Sequence, residues 1–191
     1  MSEARTSTRD VVFIALFAAL TAALALFPPL QVPLLGVPVT AQSMGPMLAG
    51  AILGARRGAL SMLLVVALVA IGLPILSGGR GGLGVFFGPT VGFLVGWLPA
   101  AYVTGLLHEK GWRSLSLVSS FAYCAIGGIL VLYAVGIPLM ILNTGLAPAK
   151  AFAATGVFVP GDLIKAAITA VVAVAVKRSY PLIDRPRARI G

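Results

Sequence analysis

Charge is scarce in this chain. Of its 191 residues only 10% are Asp, Glu, Lys or Arg, and just five are acidic. Soluble domains carry roughly 25% charged residues, so a water-exposed globular domain is excluded. Cysteine is limited to Cys124, inside an apolar run, which rules out an internal disulfide and a thiolate metal cluster. The one histidine, His108, stands in "LLHEKGW", which reads as a charged connector. One imidazole and one thiol do not make a metal site, so no metal or cofactor is expected. G-x-S-x-G, H-E-x-x-H and the P-loop are also missing, and the chain is not expected to be an enzyme. An intramembrane aspartyl protease needs two facing carboxylates, whereas Asp162 is the one acid inside an apolar span.

Apolar sequence is what the chain has in quantity. Hydrophobic residues make up 59%, in recurring stretches of about 20, the length a helix needs to cross a bilayer. The fold class is an all-α membrane protein, one membrane domain over 1–191. Six transmembrane helices are expected at about 10–27, 44–54, 58–73, 85–107, 114–142 and 160–177. The first apolar run ends in "FPPLQ" rather than a small-residue cleavage site, so it reads as a span and not a signal peptide. The second is too short to cross unaided at about 1.5 Å per residue. The fifth is long and holds Gly127, Gly128, Gly136 and Pro138, so a kink or a separate interfacial piece is expected at its far end.

The net charge of +9 would suggest nucleic acid in a soluble protein. Here the basic residues sit at span ends, and no interleaved aromatic and basic residues mark a nucleic-acid module. Eleven Lys and Arg fall on one side of the expected spans, against Arg80, Lys150 and Lys165 on the other. The positive-inside rule then puts both termini in the cytoplasm. Two connectors on the opposite, outer side are irregular. Residues 28–46 contain five prolines and 74–89 six glycines, so neither is expected to form a regular helix. Their outer parts, 28–43 and 74–84, are placed to cover a pocket, since irregular backbone near a membrane is tolerated where it lines a cavity.

Asp162 and Lys165, in "FVPGDLIKA", lie on one face of the first turns of the last span, which Pro160 opens. Ionisable residues in a span usually face the bundle interior and are functional. The alternatives are a structural ion pair, or a lysine snorkelling to the surface. Arg80, between glycines, either presents a guanidinium fork to a carboxylate or is an exposed loop residue. Thr40 and Gln42, in "GVPVTAQS", either cap the second span or hydrogen-bond a ligand. Ala15, Ala19 and Ala23 recur at i, i+4, i+8 and form a smooth stripe that allows close helix approach, within the chain or to a partner.

Four blocks, "GVPVTAQ", "GARRG", "GLPILSGGRGGLGVFFGPTVGFLVGW" and "FVPGDLIKA", together resemble the BioY family, the biotin-specific substrate-binding (S) components of energy-coupling factor (ECF) transporters. The likeness runs from about residue 10 to 178. It implies the six-helix S-component fold, with a biotin pocket near the outer face, in the cytoplasmic membrane of a prokaryote. It implies high-affinity biotin binding and uptake, energised by a transmembrane coupling protein and two ABC-type ATPase subunits. Asp162, Lys165, Arg80, Gln42 and Thr40 are then the expected biotin-binding residues, and Ala15, Ala19 and Ala23 the contact to the coupling protein. Trp97, Phe86 and Tyr123 are either packing residues around the ligand or, the favoured reading, plain core. The family often reads "GPTGGY" where this chain has "GPTVGF", so Val91 and Phe93 replace a glycine and a tyrosine. Rival readings are an ion-coupled permease for a small carboxylate-bearing vitamin, with Asp162 as proton carrier, and an S component for a different vitamin.

Overall fold

The computed structural model describes residues 7–28 and 40–183. Most of the expected outer connector at 28–43, and the tail beyond 183, lie outside the described residues. The helices are α1 (Thr8–Ala23), α2 (Met44–Leu53), α3 (Ala55–Ala70), α4 (Val91–Lys110), α5 (Leu117–Thr144), α6 (Pro148–Gly156) and α7 (Val159–Ser179). Among the described residues the only β pairing is a single bridge between Leu76 and Arg80.

Among the described residues four helical stretches are long and apolar enough to cross a membrane: Thr8–Leu26, Val91–Lys110, Leu117–Thr144 and Val159–Ser179. The α2 and α3 helices are shorter, at 10 and 16 residues, or about 15 and 24 Å at the helical rise. Every α2 residue after Met44 is buried, and the helix packs on α3, α4 and α7 at the centre of the bundle. A helix that is apolar all round has no solvent-facing side to offer, and its stable place is the interior.

The expected spans correspond to helices, with informative differences at their ends. The turn before α3 is Gly54 alone, so Arg56 and Arg57 lie in the first turn of α3 and not in a loop. The Glu109 carboxylate on α4 accepts the Ala55 N–H at 2.8 Å and satisfies one of the amide donors a helix start leaves open. α2 starts inside the proline-rich stretch, with Pro46 in its first turn, where a missing N–H costs no helical bond.

His108 is not in a connector. It lies on α4, fully buried, with Nδ1 2.8 Å from the Thr104 carbonyl and Nε2 2.9 Å from the Ser120 hydroxyl. The expected break in the fifth span falls in its middle, as a π turn over Ile126–Val131, and Pro138 sits inside the helix without ending it. The separate short piece is α6, in the connector that leads to α7.

Both ends of the described chain meet at one end of the bundle. Asp10 pairs with Arg57 at 2.8 Å, Arg57 donates to the Leu182 carbonyl, and Arg9 donates to the Tyr180 hydroxyl. Lys177 reaches the Arg113 and Leu115 carbonyls in the α4–α5 connector. Thr40, the 75–80 turn and the start of α7 gather at the opposite end, around a pocket.

Candidate functional site

Three stretches far apart in sequence meet at the polar side of this pocket. Gln42 and Ser43 precede α2 in a short 3-10 turn, Tyr133 lies on α5 just past the π turn, and Asp162 and Lys165 occupy the first two turns of α7. The pocket is open at its mouth, and its cavity volume is about 90 Å³. Leu76, Phe93, Leu94, Trp97, Leu132 and Phe158 form its apolar wall.

Asp162 is 4% exposed, and among the described residues it accepts from three side chains. Its Oδ1 accepts from Lys165 Nζ at 2.8 Å and from the Ser43 hydroxyl at 3.2 Å, while Oδ2 accepts from the Tyr133 phenol at 2.6 Å. Lys165 also donates to Ser43 Oγ at 2.8 Å, so serine, ammonium and carboxylate close a triangle. A buried carboxylate is tolerable only when a countercharge and hydrogen bonds replace water, and this cluster supplies both. The i,i+3 pair therefore faces the bundle interior. It is not turned to the surface, which disposes of a snorkelling lysine.

Arg80 also lines the pocket. Gly78 and Gly79, at φ 79° and 69°, make the left-handed turn that brings it back beside Leu76. Its Nε donates to the Ser77 carbonyl at 3.1 Å and a terminal nitrogen donates to the Thr90 hydroxyl at 3.4 Å. Partial burial lowers its pKa from the ordinary value.

Thr40 lines the pocket and occupies the N-cap position of the 3-10 turn, where its side chain makes no capping bond. Gln42 is 2% exposed, and both ends of its amide are engaged: Nε2 donates to the Ile75 carbonyl at 2.8 Å, and Oε1 accepts from the Ser77 N–H at 3.0 Å. It straps the 40–43 segment to the connector that carries Arg80. Ala15, Ala19 and Ala23 are exposed on α1, away from this site, so none of the described helices covers the stripe.

Of the three aromatics weighed as ligand contact or core, Trp97 lines the pocket, and Phe86 packs on the core without lining it. Tyr123 belongs to the other end, 5.3 Å edge-on to His108 and beside the Trp112 cluster. Sequence patterning does not single out Ser43, Tyr133 or Phe158. Ser43 adjoins Gln42, and Phe158 lies in the "FVPGDLIKA" block, so both stand next to a signal. Tyr133 stands in an apolar run with nothing to mark it.

A π turn adds one residue to a helical turn and so rotates the rest of the helix by about 100° relative to an unbroken one. Tyr133 faces the pocket because of that rotation. Its ring then meets Phe93 edge-on at 6.0 Å.

The model of the BioY family matches residues 1–182. A biotin transporter BioY of Rhizobium etli is 53% identical over 182 residues, covering 93% of this chain and 97% of that protein. One from Rhodobacter capsulatus is 51% identical over 183 residues, covering 91% and 95%. The crystal structure of the S-component for biotin from an ECF-type ABC transporter superposes with a TM-score of 0.86 at 27% identity, covering 95% of this chain and 97% of that one.

Proposed function

The chain belongs to the BioY family, and from that premise we propose that it is the biotin-binding S component of an ECF-type transporter. The observation that carries the reading is the buried Asp162–Lys165 pair in the wall of an apolar pocket. Biotin has ureido N–H donors at one end and a carboxylate at the other. Asp162 accepts from the ureido group, Lys165 neutralises the carboxylate with help from Arg80 in the same pocket lining, and the apolar wall encloses the rings and chain. Charge-assisted bonds of this kind are short and strong where water is excluded. Thr40 lines the mouth, and Gln42 acts by holding the 75–80 turn over the site.

The same reading gives the chain six spans as one membrane domain, α2 and α3 completing the count, with both termini on the cytoplasmic side of a prokaryotic cytoplasmic membrane. The meeting of Asp10, Arg57 and Leu182 at one end supports termini on a common side. Partner ATPases and a transmembrane coupling protein supply the energy, and the exposed Ala15, Ala19 and Ala23 are the face for the coupling protein.

Calorimetry with biotin on the purified protein tests the site. Asp162→Asn is expected to weaken binding about tenfold or more, because a ligand donor then meets an amide where it needs a carboxylate. Unchanged affinity refutes the assignment.

A further inference from the structure

We propose that Tyr133 is a positioning residue for Asp162: its phenol fixes which lone pairs of the carboxylate face the ligand. The inference rests on the reading that Asp162 binds the ureido end of biotin.

An ionised carboxylate has about four acceptor sites. On Asp162, Oδ1 is occupied by Lys165 and Ser43, and one site of Oδ2 by Tyr133. What remains for an incoming N–H lies on Oδ2, beside the phenol. The three donors come from three separate stretches: the turn before α2, α5 and α7. Together they hold both the position of the carboxylate and the orientation of its plane. The Tyr133 contact is the shortest of the three at 2.6 Å and alone acts on the oxygen that the ligand needs. Lys165 and Ser43 could pivot with Oδ1, but the phenol prevents rotation of Oδ2. A site oriented before the ligand arrives spends less free energy on ordering when it binds.

The ring is itself fixed by its edge-on contact with Phe93 and by the π turn below it. Tyr133→Phe keeps both supports and removes only the donor.

A double-mutant cycle separates positioning from packing and from direct ligand contact. Biotin affinity is measured for the starting protein, Tyr133→Phe, Asp162→Asn and the double variant. Competition against labelled biotin, taken into the millimolar range, covers the weak members, and thermal melts accompany each. The expected result is a loss of about tenfold for Tyr133→Phe in the starting protein, as for a bond to a charged group. In the Asp162→Asn background the same substitution should cost less than about threefold, because no carboxylate is left to orient. Tyr133→Phe also takes one bond from a buried carboxylate, so its melting temperature should fall in the starting protein and fall less in the Asp162→Asn background. Equal losses in both backgrounds, or no loss in the starting protein, overturn the positioning role while leaving the biotin site standing. If Asp162→Asn alone leaves affinity unchanged, the site reading fails and takes this inference with it.

Discussion

Lys165 donates one ammonium proton to Asp162 and another to Ser43, which leaves its third for a ligand. Lys165→Met removes that donor and strands a buried carboxylate without its countercharge. The expected cost is about 3–5 kcal/mol of stability, together with loss of biotin binding. Combining it with Asp162→Asn should recover most of the stability but none of the binding, since replacing both members of a buried pair is often neutral. Thermal melts and calorimetry on the same preparations check both halves. If binding and stability returned together, the pair would be structural only. The sequence exposes these two residues because charge in an apolar span is conspicuous. It does not expose Tyr133, whose place depends on a helical irregularity one turn away. Nor does it decide between ligand and strap for Gln42, because that depends on where the 75–77 backbone lies in space.

Two elements hold the pocket in shape, and each can be tested. The π turn of α5 packs closely on α4: a methyl group at Gly127 would overlap the Thr104 hydroxyl and come within 2.8 Å of the Ala100 carbonyl. Gly127→Ala is therefore expected to destabilise by about 1–3 kcal/mol, as overpacking does, and to weaken biotin binding by displacing Tyr133. A lowered melting point with unchanged affinity would show that the π turn serves packing alone. The Gln42 strap works on the other rim. Gln42→Ala leaves the Ile75 carbonyl and the Ser77 N–H without their partners, at about 1–3 kcal/mol for a buried group. Faster hydrogen exchange at residues 75–80 and a faster biotin off-rate are the expected results. The glycine pair 127–128 marks α5 as irregular from sequence, but composition does not say whether such a helix bends, breaks or takes up an extra residue. That choice is made by the α4 surface against it.

At the scale of the whole molecule, the two ends of the bundle have separate tasks. One gathers the two ends of the described chain and basic residues through Asp10–Arg57, Arg9–Tyr180 and the contacts of Lys177. The other holds the pocket. The α1 face between them, with Ala15, Ala19 and Ala23 exposed, is left uncovered by the described residues. Ala19→Trp should leave biotin affinity unchanged in the isolated protein and reduce co-purification with the proposed coupling protein, because a bulky side chain prevents close helix approach. Undiminished assembly would remove the stripe from the proposed interface. Apolar run length and the "FVPGDLIKA" block determined by themselves the membrane class, the approximate helices and the charge pair, since each is a local property of the chain set by the cost of burying charge and backbone in hydrocarbon. Only the tertiary structure decided that Ser43 and Tyr133 complete the cluster, that Gln42 serves the connector and that His108 is buried on α4. Those outcomes depend on which distant segments supply hydrogen-bond partners once water is gone, and sequence spacing does not carry that information.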